Sequence, residues 1–173
     1  MSPMRAAILG AALVVAIQAG AASGEVRAVP PCVGHDLTGT FKYVQYSQGA
    51  GNLSYALRLR NVSTHTCFVT GIPDLQLLSA AGKTLPTHPA AAHPGELTAI
   101  MVRLVHNASA VATARFSPDV PGPGEQHPGR CEPIASKIRV SPQGGGTLVA
   151  PITPPTSVCE HGSMTFTVLV KAS

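Results

Sequence analysis

Residues 52–60 alternate apolar and polar side chains, and this pattern constrains the fold more than any other stretch of the chain. Leucine or tyrosine occupies positions 53, 55, 57 and 59, and serine, alanine or arginine occupies the positions between and after them. Successive side chains of a β-strand point to opposite faces. The period of two therefore predicts a strand with one buried and one exposed face.

The same alternation recurs along the chain. It predicts further strands at residues 37–46, 67–70, 74–78, 98–105, 109–116, 136–140, 147–152 and 164–171. Turns rich in glycine and proline separate them, and no window after residue 24 shows the period of an amphipathic helix. Short strands with such turns predict an all-β protein, an antiparallel β-sandwich of about 8 short strands. Residues 85–95 and 117–130 are too rich in proline for a sheet interior and are predicted as long surface loops.

The N-terminus has the features of a secretory signal peptide. A basic start at residues 1–5 precedes an apolar run of about 14 residues, which is shorter than the about 20 needed to cross a bilayer. Small residues follow at Ala19-Gly20-Ala21. We therefore expect a signal peptide at residues 1–24 and a single β-sandwich domain at 25–173. The mature chain is expected to be secreted, extracellular or cell-wall associated, without a membrane span.

Four cysteines remain in this exported chain. They are Cys32, Cys67, Cys131 and Cys159. An even number in an oxidising compartment predicts two disulfides. Three connectivities are possible, and the spacing alone leaves them open.

An ordered series of residues resembles a known secreted family. The series comprises Cys32, Gly51-Asn52 before the alternating strand, Asn61, Thr66-Cys67, Gly71-Ile72-Pro73, Ala81-Gly82, Leu104 with Ala110, Cys131 and Cys159. Over about residues 32–170 the chain resembles the actinobacterial secreted family known as domain of unknown function 4232. The resemblance implies an immunoglobulin-like sandwich, export, and the disulfides Cys32–Cys67 and Cys131–Cys159. It implies no activity.

The chain departs from the family pattern in two ways. It has no lipobox, so the lipid anchor of many family members is not expected here. Asn107 stands in the turn after Leu104, where glycine is usual. Asparagine tolerates the left-handed conformation that such a turn requires.

The histidines offer an alternative interpretation. His65 and Cys67 share a strand face and could bind a metal ion, but no further ligands lie at suitable spacing, so we favour the disulfide. His88 and His93 flank a flexible loop segment, and neutral imidazole binds copper and zinc. An extracytoplasmic metal carrier that uses these two loop histidines is therefore the second hypothesis.

No catalytic motif is present in the sequence. A Gly-x-Ser-x-Gly elbow is missing and the carboxylates are dispersed, so an unrecognised envelope hydrolase ranks third. Lysine and arginine are scattered, which argues against a nucleic-acid partner. We expect no enzyme activity and no cofactor. The leading hypothesis is a monomeric, non-catalytic binding module of the bacterial cell envelope whose partner is an unknown envelope or extracellular protein or glycan.

Overall fold

A computed structural model describes residues 28–95, 100–126 and 130–173, and β-strands dominate them. The strands are β1 Leu37–Tyr43, β2 Leu53–Asn61, β3 Cys67–Val69, β4 Asp74–Leu78, β5 His88–Ala91, β6 Val102–Leu104, β7 Ser109–Phe116, β8 Ala135–Ser141, β9 Leu148–Thr156, β10 Ser163–Phe166 and β11 Val170–Lys171. Helical structure in this part of the chain is confined to a 3-10 turn, Gly34–Asp36, and a four-residue segment, Cys159–Gly162. The all-β prediction is confirmed. The predicted signal peptide, residues 1–24, lies outside the described residues.

Strand β2 lies at the centre of the larger sheet, because both of its edges are paired along its length. β1 pairs antiparallel with residues 55–61, and β7 pairs antiparallel with residues 53–60. The full strand order is β4-β8-β9-β1-β2-β7-β10-β5, with β11 also paired to β7 and a separate ribbon of β3 and β6. Two pairs, β1–β9 and β10–β5, are parallel. The alternation pattern does not reveal this, since its period is the same in both kinds of sheet.

Strand β9 joins the two layers of a sandwich. Its residues 148–151 and Thr156 pair with β8, whereas Ile152 and Thr153 between them pair with β1. Buried apolar side chains from both layers form one continuous cluster. Two sheet layers that share one core make a β-sandwich, as predicted.

The core contains the apolar half of the alternating pattern. Tyr55, Leu57 and Leu59 are at most 1% exposed, whereas Arg58 and Arg60 point to solvent. The ring of Tyr55 lies 5.1 Å from that of Phe41 and 5.4 Å from that of Phe116, measured between centroids. Its hydroxyl donates a hydrogen bond of 2.8 Å to the carbonyl of Pro154, and burial raises the pKa of this hydroxyl. This aromatic cluster fills the centre of a core that contains no tryptophan.

The prediction of a loop at residues 85–95 was wrong in part, because these residues include strand β5. Residues 88–91 pair with β10 and lie at the end of the strand order. An edge strand needs hydrogen bonds on one side only, so it accommodates a proline such as Pro89. The proline excluded a central strand but did not exclude an edge strand.

The C-terminal strand is divided. Residues 164–171 were predicted as one strand, but β10 ends at Phe166 and β11 begins at Val170. Between them the backbone N–H of Thr167 donates to the carbonyl of Thr113, and the N–H of Leu169 donates to Gly71. Among the described helices, none is long and apolar enough to span a membrane.

Candidate functional site

The disulfide Cys32–Cys67 fixes the first half of the sandwich. Its Cα atoms lie 4.9 Å apart and both side chains are buried. The pairing implied by the resemblance is confirmed, so Cys67 is neither a metal ligand nor a thiol nucleophile. His65 contacts a carboxylate: its Nε2 is 3.3 Å from Oδ2 of the buried Asp36.

Asn61 holds the turn that leads to this disulfide. Its side chain is 0% exposed, and its Nδ2 donates to the carbonyls of His65 at 2.8 Å and Leu104 at 2.9 Å. Its Oδ1 accepts bonds from the backbone N–H of Ser63 at 2.9 Å and the Ser63 hydroxyl at 2.7 Å. A buried amide with all of these bonds orders the turn, because any other turn geometry would leave polar groups unpaired.

The second disulfide, Cys131–Cys159, joins the predicted loop 117–130 to the start of the last strands. Its Cα atoms lie 5.5 Å apart, and this pairing is also confirmed. Through residues 130–132 it attaches the C-terminal end of the loop to the segment Cys159–Gly162. The loop is therefore covalently anchored, although its composition favours disorder.

A carboxylate fixes the middle of the same loop. The side chain of Glu125 is 2% exposed. It accepts hydrogen bonds from the backbone N–H groups of Gly122 at 2.6 Å, Glu160 at 2.9 Å and His161. We call this arrangement, the Glu125 carboxylate with these three amides, the Glu125 clasp. It ties the loop to the segment that bears Cys159.

The segment Cys159–Gly162 presents two of those amides, the N–H groups of Glu160 and His161. Glu160 and His161 both adopt left-handed conformations, with φ of 55° and 56°, and Gly162 follows at 80°. Successive residues of this kind direct their N–H groups into one concavity that attracts an anion. Gly162 is required for a second reason, because a Cβ there would lie 2.0 Å from the carbonyl oxygen of Pro86. Left-handed non-glycine residues cost free energy, which the clasp and the disulfide offset.

The clasp lies beside two further titratable groups. Nδ1 of His161 is 3.7 Å from Oε1 of Glu125 and 3.7 Å from Oε1 of Glu132, whose side chain is 15% exposed. Burial, together with the neighbouring Glu125 carboxylate, raises the pKa of Glu132 above its ordinary range. Burial also acts to raise the pKa of Glu125, but the backbone hydrogen bonds of the clasp outweigh it and lower that pKa. The two carboxyl groups are thus driven in opposite directions by their surroundings.

This arrangement is better suited to holding the loop than to binding a metal ion. In the described part of the chain, the groups of three or more candidate ligands are Glu125 with Cys131 and Cys159, and Glu125 with Glu132 and His161. The two cysteines form a disulfide, and both oxygens of Glu125 already accept hydrogen bonds. Neither group contains His88, which opens β5, or His93, which lies in the bend after it. A metal site at His88 and His93 stays a prediction.

The anchored loop forms one wall of a cleft at the end of the sandwich. The opposite wall is the hairpin between β1 and β2, and the cleft has a volume of about 340 Å³. It is lined by Gln48, Gly49, Ala50, Gly51, Asn52, Leu53, Pro118 and Asp119. Tyr46, in the same hairpin, is 93% exposed, and Val120, in the loop, is 48% exposed. We call Tyr46, Asp119, Val120 and this cleft the loop surface.

Sequence reasoning identified the loop but not the groups that order it. Glu125 lies in a run of proline and glycine, and two of its three amide partners lie 35 and 36 residues further along the chain. No local sequence pattern predicts a contact between residues so far apart in the chain. The available signal was the position of Glu132 and Glu160, each directly after a cysteine of the same disulfide.

Comparison with known proteins identifies a family that the chain matches over most of its length. The family model described as Domain of unknown function (DUF4232) matches residues 32–169, which include all four cysteines and the loop surface. No curated protein matches the chain, and no solved structure matches it.

Proposed function

The chain belongs to the DUF4232 family, and from that premise we propose that it is an exported, non-catalytic binding module of the bacterial cell envelope. Two disulfides support export, because they persist in oxidising compartments. The partner is an envelope or extracellular protein or glycan, bound by a monomer of this chain.

One observation carries the proposal: a nearly fully exposed tyrosine lies in the hairpin that forms one wall of a preformed cleft. Tyr46 is 93% exposed. Tyrosine is enriched among the residues that dominate binding energy, since it offers a large contact area and a hydroxyl. Exposing such a ring in a left-handed hairpin residue, with φ of 60°, gives the isolated fold no packing energy. Recognition of a partner accounts for it.

The Glu125 clasp and the hairpin contacts make this surface rigid. Ser54 donates its backbone N–H to the Ser47 hydroxyl at 2.9 Å, and Ser117 holds Val120 through a bond of 2.9 Å from the Val120 N–H. A surface that is ordered before binding loses less conformational entropy when a partner binds. Both carboxylate oxygens of Glu125 accept hydrogen bonds from backbone N–H groups. This supports a non-catalytic role for Glu125, because a general base needs a free oxygen directed at a substrate.

Capture from envelope fractions tests the proposal. Wild-type protein, the variant Y46A/D119A and the control variant K83A are immobilised, and Lys83 is an exposed residue of a different hairpin. We expect wild type and K83A to retain the same protein or glycan, and Y46A/D119A to lose it. Equal retention by all three, or retention of nothing, would contradict the proposal.

A further inference from the structure

The solvent side of the larger sheet carries a ladder of positive charges. The register of β1, β2 and β7 places one outward-pointing cation in each of four successive cross-strand rows. The rows are Thr38–Arg60–Ser109, Thr40–Arg58–Val111, Lys42–Ala56–Thr113 and Ser54–Arg115, the last extended by Thr165 of β10. Rows two residues apart are about 6.6 Å apart along a strand. We call Lys42, Arg58, Arg60 and Arg115 with their rows the cationic face.

These charges are not neutralised within the described part of the protein. Each ion pair there involves a histidine, and no lysine or arginine pairs with a carboxylate. Arg60 Nη2 donates to Oδ1 of Asn107 at 2.7 Å, and Arg115 Nη2 donates to the carbonyl of Gly49 at 3.0 Å. Both acceptors are neutral, so they orient the guanidinium groups and leave their charge available.

In the described part of the chain, no carboxylate side chain lies in the rows of this face. The outward positions of its rows hold threonine, serine, alanine and valine besides the cations. The described carboxylates lie elsewhere: Asp36 is buried, Asp74 is on β4, Asp119 is in the loop surface, and Glu125, Glu132 and Glu160 surround the second disulfide. The summed field on this face is therefore positive, and it attracts polyanions.

The shape of the face selects among polyanions. Aromatic rings of β1, β2 and β7 point into the core, so no ring on these rows can stack on a nucleic-acid base. The apolar side chains in these rows are Ala56, Val111 and Val170 of β11, and they do not include the tryptophan, phenylalanine or leucine that anchors an interfacial segment in a lipid bilayer. The positions between the cations hold mostly small residues, with threonine and serine among them, and leave room for an extended chain to lie along the strands.

We propose that the cationic face binds an extended anionic polymer without bases, whose repeated phosphate or carboxylate groups contact Arg58, Arg60, Lys42 and Arg115 in succession. This is a second binding surface, which adjoins the loop surface where Arg115 donates to Gly49, and it does not depend on what the loop surface binds. The guanidinium groups contribute paired N–H donors for phosphate or carboxylate oxygens, and the threonine hydroxyls contribute further donors.

Titration with linear inorganic polyphosphate and with polygalacturonate tests the proposal and separates the two anion chemistries. Affinity is measured against salt concentration for wild type, R58Q/R60Q and the control K83Q/K137Q, which removes the same charge from exposed positions outside the face. We expect R58Q/R60Q to bind at least tenfold more weakly at about 0.15 M salt. We expect the slope of log K against log salt to fall in magnitude by about 1–2, as two anion contacts are lost. The control should stay within about twofold of wild type, and thermal unfolding should be the same for all three proteins.

Three results would overturn the proposal. The first is an equal loss for both double variants, which would show that net charge alone governs binding. The second is no binding of either polymer to wild type at about 0.15 M salt. The third is tighter binding to single-stranded DNA or to phosphatidylglycerol vesicles than to both polymers. Loss of partner capture by Y46A/D119A with unchanged polymer binding would separate this surface from the loop surface.

Discussion

Glu125 binds the backbone of Glu160 across 35 residues of chain, through a hydrogen bond of 2.9 Å from the Glu160 N–H to Oε2. The bond closes one side of a ring whose other side is the disulfide Cys131–Cys159. A covalent link and a charged hydrogen-bonded link thus hold the same loop. We expect the stabilising effects of the disulfide and of the hydrogen bond to be coupled, because each link limits the motion of the loop and so lowers the entropy cost of forming the other.

Replacing Glu125 with glutamine should destabilise the protein. The amide keeps one acceptor oxygen, but its NH₂ group then faces backbone N–H donors, and the charge that strengthens the bonds is lost. We expect the free energy of unfolding to fall by about 1–3 kcal/mol, measured by urea denaturation. Asp119→Asn, which replaces an exposed carboxylate of the same loop with an amide, is the control. It should change the free energy of unfolding by less than about 0.5 kcal/mol. Equal effects of the two substitutions would show that the clasp contributes nothing.

Glu132→Gln should raise stability at neutral pH. The pKa of Glu132 in the folded state lies above its ordinary value of 4.5, so the folded protein binds more protons than the unfolded chain between the two values. The contribution of Glu132 to wild-type stability therefore falls as pH rises from 4.5 through its raised pKa. Glutamine removes that loss. The difference in stability between variant and wild type should vanish below pH 4.5, where the carboxyl of Glu132 is protonated in both the folded and the unfolded state. Urea midpoints measured from about pH 3 to 8 check this, and a variant less stable than wild type at pH 7 would refute it.

The opposite sign holds for Glu125. Its folded-state pKa lies below 4.5, so stability from the clasp is complete above that value and is lost as pH falls through the lowered pKa. The same pH series on Glu125→Gln should lack this acid-side loss. A parallel loss in variant and wild type would assign the acid sensitivity to another group.

The sequence predicted the fold well because alternation is a local property. Leu57 and Arg58 point to opposite faces because successive side chains of a strand alternate, and this depends only on neighbouring residues in the chain. The disulfide pairing came from the resemblance and was confirmed, as was the left-handed turn at Asn107, with φ of 66°.

The clasp and the edge strand could not be predicted in the same way. Glu125 meets Glu160 only after the sandwich has formed, and the turn that presents the amides is strained in isolation. The cationic face was missed because Arg58 and Arg115 lie on different strands. Only the register of β2 with β7 places them on one surface.

Asn61→Ala should be among the most damaging single substitutions. It removes two donated and two accepted hydrogen bonds at a site that is 0% exposed, and it takes the side-chain donor away from the buried carbonyl of Leu104. We expect a loss of about 2–4 kcal/mol in the free energy of unfolding. Asn52→Ala, whose amide makes one exposed bond to Ala50, is the matched control and should cost less than about 1 kcal/mol. A similar cost for both would contradict the role assigned to Asn61.

Metal titration of tag-free protein addresses the alternative carrier hypothesis. We expect no tight binding of one zinc or copper ion per chain, because His88 and His93 belong to no group of three described ligands. Stoichiometric binding with a dissociation constant below about 1 μM, lost in H88A/H93A, would establish the carrier instead. Binding that survives in H88A/H93A but is lost in E132Q would place the ion beside the clasp and would equally contradict the expectation.

The affinity of Glu125→Gln for the captured partner tests the central claim, a loop surface ordered in advance for recognition. The side chain of Glu125 is 2% exposed, so we expect its replacement to act on partner binding through the order of the loop. We predict that the variant, folded and at a temperature well below its unfolding midpoint, binds about tenfold more weakly than wild type, because the loop must now be ordered on binding. An affinity equal to that of wild type would contradict the claim.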